Sequence, residues 1–375
     1  MISGANRDEP YGSTIRPTYL AQYSARNGIS ISHFGLNHPE LGDTITGLAR
    51  YDLPQNSFRR RFSLIYNDLK DSLPDVIYTH QIESGKLGLT LSYFLRKPHV
   101  FDAHSSIAFE APTYVHTPVA IRRRQFLYER LILKFSRKII VPSAELEDFL
   151  QDRYHLQSGK FAIVKNGVDR TQFFPHSPDL HLRQNLGFDD DDFLVVFTNP
   201  RLPTFPSNLM ALRYFFDIIP RIETKVVRAK FLILGGGPVL KPPSDKVIYT
   251  GYVEDLPSHI NMANVCVAPF PAEAVCGGTR TKVCEYLACG KPVVATAEGM
   301  RGFDDAIPGK HFFLANTAED FASHVVKCFN SPQKAVRIGQ NAHKLSEKYD
   351  WNLLSQDLVR SLTEVVSSYT IQDRL

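Results

Sequence analysis

The chain has 375 residues, and at about 150 per domain that length predicts two or three domains. Hydrophobic residues make up 43% and charged ones 22%, a globular mix that excludes disordered and collagen-like classes. A formal net charge of +4 is too mild for a nucleic-acid binder, and no apolar run reaches the roughly 18 residues of a membrane span. The opening Met1-Ile2-Ser3-Gly4 lacks the charged-then-apolar pattern of a secretory leader. The five cysteines (Cys266, Cys276, Cys284, Cys289 and Cys328) are odd in number and include no Cys-x-x-Cys pair. That pattern implies reduced thiols in a cytoplasmic protein and neither a disulfide framework nor a zinc site.

Short apolar runs alternate with stretches of helical period along the whole chain. Strands are predicted at 29–36, 75–79, 98–102, 138–142 and 161–164, with helices between them, among them 87–95 and 121–135. The expected first strand is almost absent, because Gly4 follows only three residues. Polar, irregular sequence from Asn166-Gly167 to Asp192 marks a domain break. Its last four residues, Asp189, Asp190, Asp191 and Asp192, read as a solvated connection more readily than as a metal-binding cluster. The rhythm resumes with strands predicted at 193–198, 230–234, 247–250, 265–268, 292–296 and 311–314. Eleven strands alternating with helices are too many for one ordinary open sheet, so the expectation is α/β, with two doubly wound parallel-sheet domains.

In open α/β sheets ligands bind beyond the carboxyl ends of the strands, so glycines at those ends come first. Gly235-Gly236-Gly237-Pro238 follows the strand at 230–234 but lacks the spacing of a dinucleotide-binding turn, and serves equally well as a structural turn. Gly277-Gly278-Thr279-Arg280-Thr281-Lys282-Val283-Cys284-Glu285 is stronger. The glycines permit close backbone approach, the helix that follows offers unpaired N–H groups, and Arg280 and Lys282 add two cations. Such a site suits a diphosphate, with Glu285 one turn further on to accept bonds from sugar or ribose hydroxyls. The plainer reading, a helix carrying a Lys282–Glu285 surface pair, leaves the glycines unexplained. His104, alone after the strand at 98–102, reads by itself as a structural histidine; His80 and Glu110 are weaker candidates.

At this point the chain resembles the family-4 glycosyltransferases of the GT-B fold, in particular a branch with Gly-x-Arg-x-Lys before the donor-binding helix. The matches run in order through Gly12-Ser13, Arg16-Pro17, Asp102-Ala103-His104, Val141-Pro142-Ser143, Asn166-Gly167-Val168-Asp169, Gly235-Gly236-Gly237-Pro238, Gly251-Tyr252-Val253 and Gly299-Met300-Arg301-Gly302. The resemblance implies two Rossmann-like domains. Residues 1–168 would form the acceptor side, with a helix at about 355–375 packing back on it, and 169–354 the nucleotide-sugar side. It implies that Gly12, Arg201, Gly236, Tyr252, Val253, Gly277, Gly278, Thr279 and Glu285 bind the donor. Glu285 takes the ribose, His104 meets the donor sugar, and Arg280 and Lys282 carry the phosphate charge. Two departures stand out: Gly277 occupies the place of the family's first glutamate, and Ser207 that of the lysine that partners Arg201.

The expected activity is a retaining, metal-independent transfer of a sugar from a UDP- or GDP-sugar to a glycan, lipid-linked or other hydroxyl acceptor, with no cofactor. A nicotinamide-dependent dehydrogenase would need a G-x-G-x-x-G turn with an acid about 20 residues later, and neither is present. A non-catalytic family member that binds sugar nucleotides or a partner protein is the alternative. The stretch 122–138 carries Arg122, Arg123, Arg124, Arg130, Lys134, Arg137 and Lys138 against one acid, Glu129. It reads either as a solvated helix face or as a peripheral contact with an anionic membrane, at the inner face of the cell membrane.

Overall fold

The computed structural model describes residues 1–3, 12–35, 45–54, 57–113, 118–199, 205–236 and 240–372, without the side chains of 12, 13 and 370–372. The chain divides into two compact units. One comprises Met1–Ala111, Val115–Asn166 and Trp351–Leu375; the other comprises Pro112–Tyr114 and Gly167–Asp350.

The first unit holds strands β1 (Ile31–Gly35), β2 (Leu48–Asp52), β3 (Ile77–His80), β4 (His99–Asp102), β5 (Lys138–Val141) and β6 (Phe161–Ile163), all in parallel pairings. Helices α1 (Gly12–Arg26), α2 (Phe58–Leu69), α3 (Ile82–Leu95), α4 (Val119–Phe135) and α5 (Ala144–Tyr154) alternate with them. The missing first strand is three residues long. Ile2 N–H donates to Tyr78 O at 2.8 Å, His80 N–H to Ile2 O at 3.0 Å and Phe34 N–H to Met1 O at 2.9 Å, so Met1–Ser3 lies between β1 and β3. Strand β2 was not expected from the sequence. Among the described residues it pairs only with β1, and it is largely exposed, so Leu-Ala-Arg-Tyr-Asp carries no apolar run to announce it.

In the second unit β7 (Phe193–Thr198), β8 (Ala229–Leu234), β9 (Val247–Tyr249), β10 (Val265–Ala268), β11 (Val293–Ala295) and β12 (Phe313–Leu314) form one sheet in the order β12-β11-β10-β7-β8-β9, again all parallel. Its helices are α6 (Leu180–Asn185), α7 (Pro206–Glu223), α8 (Leu256–Asn261), α9 (Thr281–Ala288), α10 (Ala318–Asn330) and α11 (Pro332–Leu345). Both faces of the central strands are covered, and every residue of β7 and β10 is buried.

The last helix, α12 (Trp351–Gln372), belongs to the first unit. Trp351, Leu354, Leu358, Leu362 and Val365 recur at helical spacing and pack on Leu20, Tyr23, Val100 and Ile140.

The strand orders locate the ligand-binding edges. In the second unit the chain leaves β7 toward β8 on one side and returns through β10 on the other, so the crevice beyond the carboxyl ends of β7 and β10 is the switch point. In the first unit the corresponding point lies between Met1–Ser3 and β3.

Candidate functional site

At the switch point of the second unit, α9 starts beside the ends of β7 and β10. Gly277, Gly278 and Thr279 lead into it and are buried. Lys282 lies in its first turn and is also buried; its Nζ donates to Asn208 Oδ1 at 3.1 Å, from the first turn of α7. The ammonium lies 5.1 Å from the centre of the Phe197 ring and 5.0 Å from that of Phe270. Burial, with the Arg280 charge second, lowers its pKa to about 7, against an upward pull from Glu285. Glu285, one turn along the same helix, is pushed up to about 7 by burial, with Lys282 pulling the other way. No described residue bonds its carboxylate. Tyr286 Oη accepts the N–H of Thr198 at 2.6 Å and so ties α9 to the end of β7.

Arg280 is turned differently. Its Nη2 donates to Glu298 Oε1 at 2.9 Å and to Ala274 O at 2.6 Å, and its guanidinium carbon sits 3.5 Å from the centre of the Phe270 ring. Glu298 is itself held by Arg301, with Nε at 2.7 Å and Nη2 at 2.6 Å from Oε2. A buried carboxylate therefore already neutralises much of the Arg280 charge, and Arg280 serves to hold the loop that ends in α9. Sequence reasoning missed Glu298, and the only signal was its place directly before the Gly299-Met300-Arg301-Gly302 motif. Those glycines are needed for close approach. A Cβ on Gly299 would come within 2.3 Å of Ala268 O, and one on Gly302, at φ +78°, within 2.9 Å of Thr279 N. Asn208 was missed as well. The position expected to hold a lysine is Ser207, buried in the first turn of α7, and the next residue meets Lys282.

Of the remaining donor-side candidates, Gly236, Tyr252 and Val253 follow β8 and β9 of the same sheet. Gly235 N–H donates to Gly251 O at 2.8 Å, joining the two glycine turns after β8 and β9; Gly236 follows with φ 44°. Tyr252 is exposed and Val253 half-buried. Gly12 begins α1 in the other unit. Arg201, Gly237 and Pro238 lie outside the described residues. Asp189 to Asp192 sit at the opposite, amino end of β7. There Asp192 Oδ2 accepts the N–H of Asp189 at 2.9 Å, and Arg228 Nη1 lies 3.5 Å from Asp191 Oδ2. Among the described residues no group of three or more His, Cys, Asp or Glu is placed to hold a metal ion.

In the first unit a buried network closes the ends of β3 and β4. Asp102 accepts from Arg16 Nε at 2.9 Å and from Tyr78 Oη, and Arg16 Nη1 reaches Lys165 O and Asn166 Oδ1, each at 3.0 Å. His104 follows two residues after Asp102. Burial above all lowers its pKa to about 4, while Asp102 pulls upward and Arg16 down. Glu110 is half-buried, and its backbone N–H donates to Ser106 O.

Helix α4 buries its one acid: Glu129 accepts from Ile107 N–H at 3.2 Å and from Tyr154 Oη. Arg123, Arg124, Arg130 and Lys134 are exposed, interleaved with exposed Ile121, Leu127, Leu131 and Phe135. None of the seven cations from Arg122 to Lys138 has an ion-pair partner among the described residues. At the end of α4, beside the amino ends of β4, β5 and β6, opens a groove of about 1390 Å³. Its cations are Arg96, Lys97, Lys134, Arg137, Lys138 and Lys160, against the single acid Glu364.

Residues 14–172 match the family model for Glycosyltransferase Family 4, and residues 197–331 that for Glycosyl transferases group 1. The chain belongs to the family-4, group 1 glycosyltransferases. A D-inositol 3-phosphate glycosyltransferase of Frankia alni is 24% identical over 312 residues, covering 78% of this chain and 75% of its own. A mannosylfructose-phosphate synthase of Agrobacterium fabrum is 25% identical over 332 residues, covering 78% and 68%. Among solved structures, HepE of Anabaena in complex with UDP and glucose superposes with a TM-score of 0.75 at 17% identity, covering 97% of this chain and 98% of that one. Sucrose-phosphate synthase of Thermosynechococcus elongatus gives 0.71 at 17%, covering 95% and 94%. The fold of this glycosyltransferase is GT-B. No helix among its described residues is long and apolar enough to cross a membrane.

Proposed function

We propose that this glycosyltransferase takes a UDP- or GDP-sugar and transfers the sugar, with retention and without a metal or other cofactor, to a glycan, lipid-linked or other hydroxyl acceptor in glycan biosynthesis. The observation that carries the reading is Lys282. A buried ammonium with no carboxylate within ion-pair distance among the described residues is costly unless something anionic arrives to pair with it. It stands at a helix start beside Gly277 and Gly278, where backbone N–H groups suit a diphosphate. As the bond from the anomeric carbon to the diphosphate breaks, negative charge grows on the departing oxygen, and a preorganised cation there stabilises it. The acceptor hydroxyl adds on the same face, and its proton leaves with the diphosphate. Glu285, one turn further along α9, is assigned to the ribose, and His104 to the donor sugar. Arg280 supports the site by holding the loop between Ala274 and α9.

The interleaved cations and apolar side chains on the open face of α4 support a peripheral contact with the inner, anionic face of a membrane in the cytoplasm, with the basic groove at its end as the headgroup side.

The test is a panel of nucleotide sugars screened for thermal stabilisation, followed by donor hydrolysis and transfer assays with and without a chelator. Stabilisation by one nucleotide sugar with turnover that survives chelation supports the reading. Binding without any turnover across an acceptor panel would favour a non-catalytic member, and loss of activity restored by magnesium or manganese would remove the metal-independent part.

A further inference from the structure

His80 ends β3, and its ring stacks on that of His104 with centroids 4.3 Å apart and planes 21° from parallel. The β3–β4 register pairs His80 with Asp102, which brings His104 beside it just past the sheet edge. The His80 side chain is wholly buried, and neither of its ring nitrogens has a hydrogen-bond partner among the described residues. A polar ring in that state fills space poorly, since a hydrocarbon ring of similar shape would avoid the desolvation cost. What the ring does touch is His104. His104 Nδ1 is also buried and has no hydrogen-bond partner among the described residues, while the residue as a whole is half-buried.

We propose that His80 is a positioning residue for His104: the stacked ring sets the plane of the His104 imidazole and aims its Nε2 at the sugar of the bound donor. The inference rests on the reading of His104 as the histidine that meets that sugar. The charged and titratable groups facing the pair are Arg16 from α1, His33 from β1, Tyr78 from β3 and Asp102 from β4. Burial above all opposes a positive charge on either ring, and Arg16 adds to it against the upward pull of Asp102 on His104, so both rings stay neutral through the physiological range. A neutral imidazole has one donor and one acceptor nitrogen and so a direction, and the stack is what holds the ring.

Two variants and two readouts test this. His80→Phe keeps an aromatic ring on His104, whereas His80→Ala removes it. In nitrogen-15 histidine spectra of the ligand-free protein, the His104 ring should hold one tautomer from about pH 5.5 to 8 in the wild type and in His80→Phe, and should mix tautomers or titrate in His80→Ala. In kinetics with the donor found by the nucleotide-sugar panel, His80→Ala should lower kcat by about ten-fold or more with KM within about two-fold, and His80→Phe should restore it to within about three-fold. Unchanged His104 signals in His80→Ala overturn the proposal, as does an unchanged kcat while His104→Ala is inactive. If His104→Ala itself turns over normally, the assignment of His104 to the donor sugar fails and the proposal goes with it, even where the spectra still show the stack.

Discussion

Lys282 Nζ donates to Asn208 Oδ1 at 3.1 Å, and no carboxylate lies within ion-pair distance of this buried ammonium among the described residues. A neutral amide can orient the amine but cannot neutralise it. The relationship makes Lys282 a liability in the empty protein and, on the proposed function, an asset once a diphosphate is bound.

Lys282→Met separates the two effects. The methionine places an apolar chain against Phe197 and Phe270 and removes the buried charge, so the thermal midpoint of the empty protein should hold or rise. Affinity for the nucleoside diphosphate should fall by about ten-fold or more, because a charge-assisted bond contributes roughly 1.5–3 kcal/mol. Calorimetric unfolding beside a titration with UDP and GDP checks both. Equal affinity in wild type and variant would exclude Lys282 as a phosphate contact.

The pH dependence follows from the same pair. The folded pKa of Lys282 is lowered from 10.5 to about 7, so its stability penalty is full below about 7 and fades as pH rises toward 10.5. The folded pKa of Glu285 is raised from 4.5 to about 7, so its penalty grows as pH rises from 4.5 and is full above about 7. Both penalties are therefore large around neutrality. At about pH 8 the empty site holds Lys282 mostly neutral, and an arriving diphosphate should restore its proton. Titration calorimetry of UDP at that pH, in buffers of different ionisation enthalpy, should show net proton uptake. A binding enthalpy independent of buffer would contradict it.

Arg280→Ala should behave as the opposite of Lys282→Met. It strips one partner from buried Glu298, and breaking such a pair costs about 3–5 kcal/mol, toward the lower end here because Arg301 still holds the carboxylate. Unfolding of the variant by calorimetry should show that loss, and Arg280→Ala with Glu298→Gln together should recover part of it. No recovery in the double variant would mean that the loop is held by the contacts to Ala274 O and Phe270 instead.

For α4, the protein should co-sediment with vesicles containing phosphatidylglycerol and not with phosphatidylcholine alone, and the binding should weaken as salt screens charges beyond about 8–10 Å. Changing Arg123, Arg124, Arg130 and Lys134 to glutamine should abolish it, since these cations are exposed and have no acid partners among the described residues to lose. Replacing Leu127, Leu131 and Phe135 by serine should also weaken it if the apolar residues enter the interface. Sedimentation that is equal in all three proteins would leave α4 as a solvated face.

Much of this was legible in one dimension. Parallel strands buried on both faces must be continuous apolar runs, so β7 and β10 were read to the residue and β1, β3 to β6, β8, β9, β11 and β12 to within a few residues. Short β2 escaped because an exposed edge strand needs no such run. The glycines before α9 and the cations at positions 280 and 282 were visible for a local reason: a helix start and the residues beside it are contiguous in sequence.

What each cation does depended on residues far away along the chain. Arg280 and Lys282 are two positions apart, yet one faces Glu298 and the other Asn208, 74 residues upstream. Spacing along a helix assigns a side chain to a face but does not say which partner the fold brings to that face, and the partner decides whether a charge is neutralised or left free to bind. The same holds for His80 and His104, 24 residues apart and joined only by the pairing of β3 with β4. The sequence by itself determined the strands, the glycine turns and the residue types at the sheet edges, because these rest on local period and backbone freedom. Only the tertiary structure decided which of those charges and rings meet, because partnership in a parallel sheet is made by crossovers between distant segments.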